Sequence, residues 1–130
     1  MIDAGKRADV LLISNYRAVY RKAGDTAVVP PREIMRWTEQ NSAIPAVGMA
    51  GFFTDDGGMF AVGASGFEQG ETTGRMAIRI LDDAVSPRDI PVVMPREFLI
   101  YVSKSVMKKR GLSLPSLYES FARATNNYSE

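Results

Sequence analysis

The sequence has 130 residues, of which 45% are hydrophobic and 24% are charged, and its formal net charge at pH 7 is +1. This length and composition predict one globular domain spanning residues 1–130. The balanced charge argues against a nucleic-acid partner. Because the chain has no Cys and no His, disulfides, thiol catalysis and the commonest metal ligand are excluded, and we expect neither a metal site nor a cofactor.

The first residues have the pattern of the end of a helix. Ile2 to Lys6 reads as a last helical turn, and the charges at Asp3, Lys6, Arg7 and Asp9 interrupt any apolar region of a signal peptide. We therefore expect a piece of a longer protein, with no signal peptide in this chain.

Two strands and a helix are predicted in the first part of the chain. The continuous apolar run Val10–Ile13 indicates a strand covered on both faces, as parallel strands are. A helix is expected from Pro31 to Gln40, with Trp37 on its apolar side and packed in the core. Ile44–Ala50 is predicted to be the second buried strand, followed by a glycine-rich loop.

The stretch from Met59 to Leu81 predicts a strand, a glycine-rich turn and an amphipathic helix. The strand ends near Ala64, and the helix is expected from Phe67. Gly70 and Gly74 lie one turn apart on its apolar stripe, where they would let the helix backbone approach a sheet closely.

The last third of the chain continues the alternation of strands and helices. Ile90–Pro95 predicts a short or edge strand because of its prolines. A strand over Phe98–Val102 leads into a helix, Lys104–Arg110, which Gly111 ends. After a final helix, residues 126–130 are expected to fray. This pattern predicts an α/β fold, a three-layer domain with a mainly parallel sheet flanked by helices.

Candidate ligand residues follow the predicted strands, because ligands of open α/β sheets bind at the carboxyl ends of the strands. Asn15 and Tyr16 follow the first strand, although Asn also serves in ordinary turns. Phe52 and Phe53 follow the second, where they could form an apolar wall or pack beneath their own loop. Ser65 to Glu68 follow the third.

The same turn has some features of a phosphate site and of an active site. Gly63, Gly66 and Gly70 match neither the dinucleotide nor the P-loop spacing, and Glu68 and Glu71 in the first helical turn would repel a phosphate. Ser65 stands where an elbow serine would, but no histidine base is present. We therefore do not expect an enzyme.

The order of these segments carries a family resemblance. The glycine-alanine strand and Gly-Arg-Met-Ala helix of residues 58–82, the Ile-Pro-Val segment, and the helix ending in Gly-Leu-Ser-Leu-Pro at 111–115 occur in this order, and Ala8–Leu12 fits the preceding strand. The set resembles the C-terminal half of ABC transporter substrate-binding proteins, in the family related to tryptophan and tyrosine binders.

This resemblance implies one lobe of a type I periplasmic-binding-protein-like fold, with a missing N-terminal lobe on which residues 98–130 could pack instead. The implied function is solute binding for an ABC-type transporter, with a small organic or amino-acid-like ligand in an interlobe cleft, an ABC permease as partner and a periplasmic or extracytoplasmic location for the parent. Glu68 would favour an amine-bearing ligand. The implied ligand residues are Asn15, Tyr16, Phe52, Phe53, Ser65, Gly66, Phe67, Glu68 and Gln69.

An alternative function uses the same fold as a ligand-sensing or dimerisation domain of a signalling protein. If residues 98–130 belonged to the other lobe, an apolar surface would be exposed, and a homodimer would be one way to cover it. The sequence does not identify the solute.

Overall fold

The computed structural model describes residues 3–130. A 3₁₀ helix at Ala4–Lys6 occupies the expected helix end, whose first residue, Ile2, lies outside the described residues. Two units are distinguished and are described separately: the chain up to Gly63 together with Leu99–Glu130, and the segment Ala64–Phe98. No helix within residues 3–130 is both long and apolar enough to cross a membrane.

Strands and helices alternate along most of the described chain. In order they are β1 (Leu11–Ile13), α1 (Pro31–Asn41), β2 (Ala46–Gly48), α2 (Phe52–Asp55), β3 (Phe60–Ala64), α3 (Gly66–Leu81), β4 (Phe98–Ser103), α4 (Lys104–Lys109), α5 (Ser116–Ala124) and β5 (Tyr128–Ser129). A second 3₁₀ helix, Pro87–Asp89, lies between α3 and β4.

The five strands form one sheet in the order β1-β2-β3-β4-β5. The pairs β1/β2, β2/β3 and β4/β5 are parallel. Two backbone bonds give the direction of β4: Ser103 N donates to Met59 O at 2.9 Å, and Ser65 N donates to Glu97 O at 3.0 Å. Residue numbers rise from Met59 to Ser65 along β3, whereas the numbers of their partners fall from Ser103 to Glu97 along β4. The two strands are therefore antiparallel. The predicted mainly parallel α/β sheet is confirmed.

The core of the first unit consists of two clusters. Alternate residues of a strand point to opposite faces, and Ala46 of β2 belongs to one cluster while Val47 packs against the other. The first cluster contains Ile13, Tyr16, Met35, Ala46, Phe53 and Ala61. The second contains Met59, Val102, Met107 and Ala122. Helices α1 and α2 therefore cover one face, and α4 and α5 cover the other.

Local signals begin or end three helices within one residue of the predicted bounds. Pro31 occupies the first position of α1, where its missing N–H would have no helical partner. Ser65 caps α3 by accepting a hydrogen bond from Glu68 N at 3.2 Å. Gly111, with φ +67°, ends α4, and its N–H donates to Lys108 O at 3.0 Å.

Three predictions about burial and short elements are wrong. Leu12 is exposed, so β1 is not covered on both faces. Trp37 is 49% exposed, because it lies about 100° around α1 from the centre of the buried stripe formed by Ile34, Met35 and Thr38. The loop after β2 contains the short helix α2, since Phe53 turns inward to fill the core.

The second half of the chain differs from the prediction in three further places. None of the sixteen residues of α3 is buried. Beyond the adjacent residues and backbone of α3 itself, a Cβ at Gly70 or Gly74 would meet no atom of the described chain within 4 Å. Met76 and Ile80 of α3 instead line a groove together with the segment 90–95. That segment forms no strand, since its prolines lack N–H donors. The tail contributes β5 because Tyr128 and Ser129 pair with β4.

Candidate functional site

Four of the predicted ligand residues lie in the first unit, after the ends of two neighbouring strands. Asn15 and Tyr16 follow β1, and Phe52 and Phe53 open α2 after β2. Because β1 and β2 are parallel, their carboxyl ends share one edge of the sheet, which is the edge where such folds bind ligands. The structure brings Tyr16, Phe52 and Phe53 into contact there.

Tyr16 is buried, and its hydroxyl is hydrogen-bonded to the carboxylate of Asp56, the residue that directly follows α2. Its hydroxyl donates to Asp56 Oδ2 at 2.5 Å, and Arg17 donates to the same oxygen at 2.8 Å. Burial raises the pKa of Tyr16, and the hydrogen bond to Asp56 raises it further. The phenol is therefore a fixed neutral donor that already has its acceptor.

The aromatic side chains around Tyr16 have different exposures. The Tyr16 ring lies 5.9 Å from that of Phe52 and 6.1 Å, edge to face, from that of Phe53. The Arg17 guanidinium lies over the Phe52 ring at 4.2 Å from its centroid. Phe53 is 1% exposed, so its side chain is enclosed by protein, whereas Phe52 keeps an accessible face.

Two glycines make room for Phe53. A Cβ built at Gly48 or at Gly58 would overlap the Phe53 ring. The packing interpretation of this phenylalanine, which the sequence left open beside the ligand interpretation, accounts for both glycines.

The other five predicted residues, Ser65 to Gln69, lie in the second unit at the beginning of α3. Ser65 is buried and its Oγ is used as the helix cap. Phe67 is 82% exposed, and Gly66 and Gln69 are also exposed. A groove of about 610 Å³ runs along α3 and is lined by Glu68, Gln69 and the 90–95 segment.

Glu68 accepts hydrogen bonds from the backbone that precedes β4. Arg96 N donates to its two carboxylate oxygens at 2.9 and 3.0 Å, and Glu97 N donates to Oε2 at 2.9 Å. These bonds, from Glu97 first and Arg96 second, lower the pKa of Glu68 below its ordinary value of 4.5. Glu68 therefore stays ionised at neutral pH beside exposed Gln69.

Sequence reasoning missed the partners of these side chains. No role for Asp56 or Arg17 was assigned from the sequence. The adjacency of Tyr16 and Arg17 to a predicted strand end was the available signal, but Asp56 is 40 residues away in the chain. Within residues 3–130, no group of three or more Asp, Glu, Cys or His side chains is arranged to hold a metal ion.

Comparison with known proteins identifies a family for this chain. A family described as ABC transporter substrate binding protein matches residues 11–124, which confirms the family resemblance drawn from the sequence. No curated protein matches the chain.

Two solved structures are similar in fold. One is the ABC domain from Streptococcus pneumonia in complex with L-Trp, with 22% identity and a TM-score of 0.50 over 59% of this chain and 26% of that one. The other is a conserved domain protein from Vibrio cholerae O1 biovar eltor str. N16961, with 15% identity and a TM-score of 0.67 over 99% of this chain and 39% of that one. The chain thus spans well under half of either structure.

Proposed function

The chain belongs to the ABC transporter substrate-binding protein family, and we propose that it serves as the solute-binding module of an ABC-type transporter. The observation that carries this proposal is that the family match over residues 11–124 contains all nine predicted ligand residues. The family is of a binding rather than a catalytic type, and we propose that the module works without covalent chemistry.

We propose that the solute is a small organic molecule with an amine, held in a cleft between this chain and a second lobe supplied by the rest of the parent protein. An ABC permease would receive the solute, and the parent would act outside the cytoplasm, as such proteins generally do. Hinge closure of two lobes is the usual mechanism for binding proteins of this kind.

The contacts divide the eight predicted ligand residues other than Glu68 into two proposed roles. Tyr16, Phe53 and Ser65 are buried, and Tyr16 and Ser65 already have hydrogen-bond partners. We assign these three to positioning. The Asn15 amide, Phe52, Phe67 and Gln69 have accessible surface, and we assign them to solute contact. Gly66 lacks a side chain, so it would offer the solute only its backbone groups.

Glu68 is the residue that we expect to select an amine. Its lowered pKa keeps the carboxylate charged at neutral pH, and the acceptor capacity that the Arg96 and Glu97 amides leave unused could receive an ammonium group. The preference should weaken as the pH falls below 4.5, the ordinary pKa of this side chain.

A thermal-shift experiment on the parent protein tests this function. The streptococcal neighbour was solved with L-Trp, so the library should contain L-Trp, L-Tyr and tryptamine beside indole-3-propionate, which has no amine. A true solute at a hundred times its Kd should stabilise by about 2.7 kcal/mol and raise the Tm by about 5 °C or more.

Two variants on one helix provide the matched comparison. Glu68→Gln should reduce the Tm shift given by the amine-bearing solutes, while Glu71→Gln, one turn along α3 and paired with Arg75, should leave it unchanged. A well-folded parent protein whose Tm responds to no solute in a broad library would contradict the proposal.

A further inference from the structure

Two residues outside the predicted ligand set join the segments that follow β1 and β2. Arg17 comes directly after Tyr16, and Asp56 lies one helical turn after Phe52, at the end of α2. Positions one turn apart lie on the same side of a helix. The Arg17 guanidinium donates to Asp56 Oδ2 at 2.8 Å and lies over the Phe52 ring at 4.2 Å from its centroid. Arg17 is therefore held between a carboxylate and an aromatic ring of the same turn.

The Asp56 carboxylate is the fixed point of this arrangement. Its side chain is 9% exposed, whereas that of Arg17 is 45% exposed. The Tyr16 hydroxyl donates to the same oxygen at 2.5 Å, and Asp56 N donates to Phe52 O at 3.0 Å. A carboxylate so far removed from water needs its hydrogen-bond donors, so Asp56 keeps Tyr16 and Arg17 in place. These contacts lie within the chain and do not depend on what covers its surface in a longer parent.

The backbone of Arg17 orients a further predicted residue. Arg17 N donates to Asn15 Oδ1 at 3.0 Å, which leaves Nδ2 as the donor of that side chain. Asn15, Tyr16 and Phe52 thus each contact Arg17 or Asp56 directly. The pair acts on the orientation of three predicted ligand residues at once.

We propose that Asp56 and Arg17 are positioning residues of the solute site. In a first step Asp56 orients the guanidinium, which covers one face of the Phe52 ring and fixes the direction of that ring before a solute arrives. In a second step this order is gained as affinity, because a ring that is already fixed need not be immobilised on binding. The inference rests on the proposed function, in which Phe52 contacts the solute, and it adds two residues that the solute need not touch.

An NMR signature of the 130-residue chain tests the first step without any solute. Protons above an aromatic ring are shielded, so the side-chain N–H resonance of Arg17 should lie upfield of its ordinary position. Asp56→Ala should return the resonance to that position. Asp56→Asn, whose amide oxygen still accepts a weaker hydrogen bond, should keep part of the shift. Arg123 lies over the Tyr128 ring at 3.6 Å from its centroid, and its resonance is the internal control that should not move.

Binding by the parent protein tests the second step. The probe is the solute with the largest Tm shift in the thermal-shift library that contains L-Trp, L-Tyr and tryptamine, and calorimetric titration gives its Kd. Asp56→Ala should raise the Kd about fivefold, because the Phe52 ring must then be ordered on binding. Asp56→Asn should raise it less.

A second variant and a control separate positioning from a loss of fold. Arg17→Met removes the guanidinium but leaves the bond between Tyr16 and Asp56, so it should raise the Kd to a similar extent in a folded protein. Asp55→Ala removes the neighbouring, exposed carboxylate of α2 and should change the Kd by less than about twofold.

The outcomes distinguish this inference from the proposed function. An unchanged Arg17 resonance in Asp56→Ala would overturn the first step. A parent protein that binds the probe equally well with and without Asp56→Ala and Arg17→Met, or that loses as much affinity through Asp55→Ala, would overturn the second step alone. A wild-type parent that responds to no solute would overturn the proposed function and, with it, the role of Asp56 and Arg17 in binding.

Discussion

At the scale of single residues, the space for one core side chain is set by glycines. The Phe53 ring occupies the volume that a Cβ at Gly48 or Gly58 would take. Since Phe53 contacts Tyr16 at the edge where β1 and β2 end, this packing supports the position of a predicted ligand-site residue. The local sequence places Gly48 in a strand and Gly58 in a glycine-rich loop, and it does not indicate this packing.

The first prediction concerns Gly48. Gly48→Ala should lower the free energy of unfolding by about 1–3 kcal/mol, because the added methyl group overpacks the core against Phe53. Urea denaturation of the isolated chain gives this quantity.

Gly74→Ala is the control for the same chemical change. Gly74 lies inside α3, and beyond the adjacent residues and backbone of its own helix no atom of the described chain lies within 4 Å of an added Cβ. The higher helix propensity of Ala should therefore stabilise the protein by about 0.5–1 kcal/mol. Equal effects at both positions would contradict the packing explanation.

At the scale of elements, α3 is connected to the backbone before β4 by Glu68. Glu68 lies in the first turn of the helix, where a negative charge is favoured. Its carboxylate also accepts hydrogen bonds from the backbone N–H groups of Arg96 and Glu97. The helix pattern predicted a helix from Phe67, but it could not predict a partner of Glu68 that is 28 residues away.

The second prediction concerns the pH dependence of this connection. The folded pKa of Glu68 is lowered, so its contribution to stability is present above the unfolded value, near 4.5, and is lost as the pH falls through the folded pKa. The amide resonances of Arg96 and Glu97 should titrate together with a midpoint below 4.5 in an NMR pH series.

Glu68→Gln should abolish that titration, and Glu71→Gln should preserve it. A midpoint at or above 4.5 would show that the two amides do not stabilise the ionised carboxylate.

At the scale of the molecule, an ion pair connects helices on opposite faces of the sheet. Arg110, directly after α4, donates to Glu39 Oε2 at 2.5 Å and to Glu39 O at 3.0 Å, and its remaining bonds reach Ser42 O and Ile44 O at 3.4 Å. Both side chains are mostly buried. Arg110 thus binds the end of α1 across 71 residues of sequence.

The third prediction tests this connection. Arg110→Met should lower the free energy of unfolding by about 3 kcal/mol, because it leaves the Glu39 carboxylate buried without a countercharge. The double variant Glu39→Met/Arg110→Met should recover much of the loss, since burying two apolar side chains needs no charge pairing.

An exposed ion pair serves as the reference in the same urea-denaturation series. Arg75→Met removes the partner of Glu71 on the surface of α3 and should change the stability by about 0.5 kcal/mol or less. A loss at Arg110 no greater than that at Arg75 would show that burial adds nothing to the pair.

The sequence by itself determined the features that depend on neighbouring residues. Apolar runs, the proline at the start of α1 and Gly111 after α4 act within a few positions of the chain. The order of such local signals predicted the order of elements, the mainly parallel sheet and the family. The candidate ligand residues were predicted from the same local order and remain a prediction.

Only the tertiary structure decided which side chains are accessible and which partners they have. In that structure Trp37 is half exposed, Phe53 is enclosed by protein, Tyr16 is hydrogen-bonded to Asp56, and β5 pairs with β4 in the sheet. Each of these depends on contacts between segments far apart in sequence. Packing and hydrogen bonding act on distances in space, which local propensity and periodicity do not encode.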